Sequence, residues 1–199
     1  MFSNIYLVFP AATVSAFGFF RYNNYPLTNP NESLEIFHKK WKQLVLINVG
    51  GFIEYNIVLS NIHSWDTREH TIGQSIITIF AYSAYIEFLY YVSHYINHLP
   101  MFYKKIHAQH HESHDVYPMD TFYLSFIDLQ YLFFALHAPL LQMNIRIDEY
   151  IFVTYIYILF AYISHSQLFH RHHYIHHKFH KCNYSLMIPY FDYIFGTYR

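Results

Sequence analysis

Residues 72–98 read IGQSIITIFAYSAYIEFLYYVSHYINH, an apolar run closed by two histidines four positions apart. Its apolar part, roughly 73–93, has about the ~20 residues that a helix needs to cross the hydrocarbon of a bilayer. His94 and His98 at its end lie on one helical face, close enough to share a ligand. Four further apolar stretches flank it, at roughly 4–20, 43–60, 121–142 and 149–166. The expected fold is therefore all-α, with about four to five transmembrane helices beneath a histidine-rich helical cap on the cytosolic side.

Composition agrees with a lipid environment. Hydrophobic residues make up 54% of the 199 positions and charged residues 13%, against about 25% charged in an average soluble chain. The length suits a single domain. A net charge of -1 gives no basic face for nucleic acid, so no nucleic-acid partner is expected. With Cys182 as the one cysteine, neither an intramolecular disulfide nor a thiolate-rich metal site can form.

Met1 to Phe20 lacks the basic start of a secretory signal and is read as an uncleaved anchor. Asn24 to Glu35, with Pro26 and Pro30, breaks the apolar pattern as a loop. Threading the chain through a bilayer places Arg21, Lys39, Lys40, Lys42, Lys104, Lys105, Arg171, Lys178, Lys181 and Arg199 on one side, and Arg68 and Arg146 on the other. The positive-inside rule makes the first side cytosolic. The hairpin of 121–142 and 149–166 returns the later histidines to that same side.

Of 17 histidines, most lie between His94 and His180, which a coding bias towards Tyr, Phe, Asn and Ile does not explain. His107-Ala-Gln-His110-His111 has the i, i+3, i+4 spacing of one helical face, and His173-Tyr-Ile-His176-His177 repeats it. With His94, His98 and His165 they make nine candidate ligands. A structural zinc needs four ligands and a haem one or two, so nine converging imidazoles suggest two ions. Imidazole suits iron, copper and zinc alike, and spacing does not choose among them.

Glu87 lies two turns before His94 on the same face. An ionisable group at that depth is costly unless it faces something polar, so it is read as lining or supporting the metal pocket. His172, with His114, His170 and His180, is a candidate for orienting ligands from behind. His38, His63, His70 and His137 are read as ordinary interfacial or core histidines. The aromatic residues Phe88, Tyr90 and Tyr91 are read as core or lipid-facing surface.

The run from Ile86-Glu87 through His94-x3-His98 and Phe102-Tyr-Lys-Lys-Ile-His107-Ala-Gln-His110-His111 resembles two motifs of the membrane fatty acid hydroxylase and sterol desaturase superfamily. The late run His172-His173-Tyr-Ile-His176-His177, then Asn183-Tyr184 and Phe191-Asp192-Tyr-Ile-Phe195-Gly196-Thr197, is similar to its closing signature, most of all that of the 4-methylsterol monooxygenases. The resemblance covers about 85–199, which divides the chain into anchor helices and loops (1–84) and a catalytic region (85–199). It implies a non-haem di-iron centre on the motif histidines, O2 as cosubstrate, and a sterol, fatty-acyl or sphingoid lipid that is hydroxylated or desaturated. It implies electrons from NAD(P)H through an electron-transfer protein, cytochrome b5, and an endoplasmic reticulum membrane. Two departures stand out: Tyr95 replaces the arginine that many members carry, and Ser125-Phe-Ile-Asp128 lacks the His-Pro element of sterol-acting members. A membrane metal transporter or store, and an inactive scaffold of a lipid-synthesis complex, are the competing readings.

Overall fold

The computed structural model describes residues 7–61, 65–169 and 171–199. Residues 1–6 of the first apolar stretch, His63 and His170 lie outside the described residues. The described residues form eight α-helices and three short 3-10 turns, with no strand among them. The helices are α1 (Val8–Tyr22), α2 (Leu34–Asn61), α3 (Ile72–Asn97), α4 (Pro100–Ile106), α5 (Phe126–His137), α6 (Ile147–Ser164), α7 (His172–Phe179) and α8 (Tyr190–Phe195).

Two of them, α3 and α6, are long and apolar enough to cross a membrane. At 1.5 Å per residue they reach ~39 and ~27 Å, against a hydrocarbon core of about 30 Å. α3 starts where Thr71 and Gln74 form a reciprocal capping box. It stops at the Leu99-Pro100 junction, because the residue before a proline is driven out of the helical region. Pro100 then opens α4, where its missing N–H costs nothing.

The stretch expected to span at 121–142 does not form one long helix. Ser125 Oγ accepts from the Asp128 N–H and starts α5 only at Phe126. Pro139 then ends regular helix, and Ala138–Leu141 tightens into a 3-10 turn. In the other direction, α2 begins at Leu34, well before the expected residue 43.

The helices pack through small residues and rings. α1 buries Phe9, Ala12, Ala16 and Phe20, the i, i+3, i+4 stripe of one helical face. Ala12 and Ala16 on α1 and Ala161 on α6 are all buried, and small side chains let helix backbones approach closely. A Cβ on Gly51 would stand 2.9 Å from the Phe9 ring, so only glycine fits that crossing of α1 and α2. Thr13 Oγ1 lies 3.0 Å from Tyr162 OH, and Tyr82 OH donates to the Leu136 carbonyl at 3.1 Å, tying α3 to the end of α5.

Of the cationic residues counted to the cytosolic side, Lys40 is buried, pairing with Asp120 at 2.5 Å and with Glu32. Arg68 and Arg146, expected on the opposite side, pair locally with Asp66 and Asp148.

Candidate metal centre

Both bilayer-length helices end at histidines: His98 caps α3 and His165 caps α6. The nine candidate ligands meet there in two groups. His94, His98, His107, His111 and His176 form one; His110, His165, His173 and His177 form the other. Within each group the ligand nitrogens lie within 4.8 Å of one another. The groups adjoin, with the rings of His111 and His177 4.4 Å apart.

The sequence motifs are split between the groups, which their spacing did not foretell. α4 ends at Ile106, and His107 follows as its cap. His110 starts a 3-10 turn in which His111 has a non-helical ψ of 16°. The expected single helical face is thus broken, and His110 turns away from His107 and His111 towards the second group. On α7, His173 and His177, one turn apart, face the second group while His176 faces the first.

Four rings are fixed from behind. The Nδ1 atoms of His94, His165 and His176 donate to the carbonyls of Tyr184 (2.7 Å), Ala161 (2.7 Å) and Cys182 (2.6 Å). His107 Nδ1 donates to Asp128 Oδ2 at 2.6 Å. A neutral imidazole that donates from Nδ1 carries its lone pair on Nε2, which leaves that nitrogen free to ligate a metal. The Nε2 atoms of His94, His98 and His107 are buried with no hydrogen-bond partner within the chain. His165 Nε2 faces the Nε2 atoms of His110 and His177, each at 3.2 Å, and His176 Nε2 faces that of His111 at 3.2 Å. Lone pairs aimed at one another in a buried site repel unless a cation or proton lies between them. An all-nitrogen donor set of this kind fits iron, zinc or copper.

Burial, followed by the neighbouring imidazoles, holds the pKa values of His98, His110, His111, His173 and His177 below the usual histidine range. Burial brings His165 down to about 4. Unfolded imidazoles titrate near ~6.5, so below that pH the unfolded chain binds more protons than the folded one. Stability from these groups is complete above about pH 6.5 and is lost as pH falls towards 4. Metal-free protein in detergent is expected to melt progressively lower as pH is taken from 7.5 to 4.5, which a thermal melt followed by circular dichroism would measure.

The supporting residues are mostly ones that sequence reasoning missed. Asp128, the one charged side chain in the 121–142 stretch, accepts from His107 and from Asn97 Nδ2 (3.1 Å); its isolation in apolar sequence was the available signal. Asp192, fully buried, accepts from the Tyr184 and Ser185 amides and the Thr197 hydroxyl. It thereby fixes the loop whose carbonyl orients His94. Asp192→Ala leaves the Tyr184 and Ser185 amides unpaired, at ~1–3 kcal/mol apiece for those that stay buried, while the Thr197 hydroxyl keeps Tyr91 OH as a partner at 3.0 Å. The expected result is a stability loss of roughly 2–4 kcal/mol with reduced metal content, measured by denaturant unfolding and elemental analysis.

Glu87 is not among the ligand groups. Its Oε1 accepts from the Leu186 and Met187 amides at 2.7 and 3.0 Å, so it holds the same C-terminal loop to α3. His172 is buried beside the candidate ligand His173, and its carbonyl accepts from Asn183 Nδ2. His180 packs against His111 at 4.4 Å and stacks on His114. His38 is exposed. His70 binds Glu149 and Asp66, and His137 binds Tyr150, both away from the centre.

A cavity of 30 Å³ touches both groups, bordered by His94 and His107 of the first and His110 and His165 of the second. Phe122, Leu132 and Leu186 supply apolar wall. Its volume is about that of one water molecule.

Two helices long and apolar enough to cross a membrane, both ending at paired imidazole groups, mark a histidine-motif protein. The fatty acid hydroxylase family model matches residues 79–197, more than half of the chain, and the chain belongs to that family. Neither a curated protein nor a solved structure matches it.

Proposed function

We propose that the chain is an O2-dependent lipid oxidase, hydroxylating or desaturating a sterol, fatty-acyl or sphingoid substrate. The observation that carries this reading is the contact of both imidazole groups with one small cavity that also has apolar wall. His94, His98, His107, His111 and His176 would hold one iron, and His110, His165, His173 and His177 the second. Iron bound there would supply what no side chain has: activation of O2 to attack an unactivated C–H bond.

The chain's own residues bind, orient and shield. Asp128 and the carbonyls of Ala161, Cys182 and Tyr184 fix four ligand rings. Burial of eight of the nine rings excludes bulk water. Hydroxylation consumes O2, two electrons and two protons and yields the alcohol and one water; desaturation of a CH2–CH2 unit yields the alkene and two waters. The electrons must come from outside, from NAD(P)H through cytochrome b5.

The region 1–84 serves as anchor and 85–199 as the catalytic part. Apolar side chains exposed on α2, among them Val45, Val49, Phe52 and Ile53, support its lying in the bilayer with α3 and α6. A multi-pass protein of the endoplasmic reticulum, with the histidine groups on the cytosolic side, accounts for the clustered lysines on that side.

Purified protein is expected to hold iron near two per chain and to oxidise lipid only with O2 and an electron donor. Metal-loaded protein that binds iron yet turns over no lipid from a membrane extract would favour a metal store instead.

A further inference from the structure

A groove of 560 Å³ runs between α3, α6 and the loop that leads into α8. Ile79, Phe80 and Ala84 of α3, Phe152 of α6, and Met187 and Phe191 line it. Phe80, Ala84 and Phe152 are exposed, so the groove opens sideways, in the direction that bilayer lipid would occupy. At roughly 30 Å³ for each water- or methylene-sized unit, that is about the volume of one long hydrocarbon chain.

Only two residues separate this groove from the cavity beneath the imidazoles. Leu186 borders the cavity and Met187 borders the groove. Both amides donate to Glu87 Oε1, and Glu87 itself borders the groove. The wall is therefore a stretch of non-helical backbone held by one carboxylate.

We infer that the groove seats the single hydrocarbon chain of the lipid substrate, admitted laterally from the bilayer, with Leu186-Met187 as the partition between it and the metal centre. The inference rests on the reading of the protein as a lipid oxidase. It accounts for a buried carboxylate on an apolar helix that touches neither ligand group. It also accounts for a cavity at the histidines too small to hold a lipid: the partition must shift before a C–H bond can reach them.

The test is photo-crosslinking of the full chain in nanodiscs, with a palmitoyl probe carrying a diazirine on its chain and a phosphatidylcholine carrying the same group. The palmitoyl probe is expected to label peptides containing residues 79–87, 152 and 187–191 saturably, with competition by unlabelled chain. Ala84→Trp, which fills the groove from an exposed position, is expected to cut that labelling by about tenfold with metal content unchanged. Labelling that does not saturate, or that the phosphatidylcholine probe matches, identifies surrounding bilayer lipid and overturns the inference. So does wild-type labelling in Ala84→Trp. Labelling needs no turnover, so an empty groove leaves lipid oxidation standing, whereas normal labelling of a protein without oxidase activity removes the proposed function alone.

Discussion

Replacing His107, His110 and His111 together by alanine is expected to strip iron to background and to abolish lipid oxidation. The three come from one short segment but serve different groups: His107 and His111 the five-ring group, His110 the four-ring group. The triple variant leaves three imidazoles in each. Since loss of even a supporting partner costs about 10–100-fold in metal affinity or activity, losing ligands from both sites should exceed that. Single variants separate the sites. His110→Ala leaves the five-ring group whole and should hold iron near one per chain, as elemental analysis and Mössbauer spectroscopy would show. Full activity in the triple variant would remove the proposed mechanism, and two irons in His110→Ala would refute the division into groups.

Asp128→Leu is expected to have the next largest effect. His107 Nδ1–H would lose its acceptor at a position 2% exposed, an unpaired buried donor costing ~1–3 kcal/mol. The ring would also lose the contact that selects its tautomer. Iron affinity should fall about 10–100-fold, measured by competition with a chelator, and the cobalt-substituted protein should change its visible spectrum. Asp128→Asn keeps an acceptor oxygen for His107 while removing the charge, and should fall between. Wild-type affinity and spectrum in Asp128→Leu would show that the carboxylate does not act through His107.

Much of this was legible in the sequence because it depends on local chemistry. Apolar runs of bilayer length located α3 and α6 to within a few residues, and the histidine spacings marked eight of the nine rings that converge, with His165 marked by its place at the end of the last apolar stretch. What stayed hidden depends on backbone direction or on partners distant in sequence. The break after Ile106 that sends His110 one way and His111 the other is a matter of chain geometry that an i, i+3, i+4 pattern does not encode. The acceptors for His94 and His176 are carbonyls of Tyr184 and Cys182, and a carbonyl has no sequence signature. Lys40 was counted only among the cations of the cytosolic side, yet it is buried and pairs with Asp120, 80 positions away. Pro139 in an apolar run was the visible warning that 121–142 would not make one straight crossing.

The nine rings arise from four separated stretches, 94–98, 107–111, 165 and 173–177. Iron would therefore act as a rivet, closing loops whose ends cannot find each other until residue 177 has left the ribosome. A ligand that binds only the folded form stabilises it in proportion to its free concentration. The steady-state amount of this protein in a cell would then follow iron supply, with starved chains removed by quality control before any shortage of catalysis is felt.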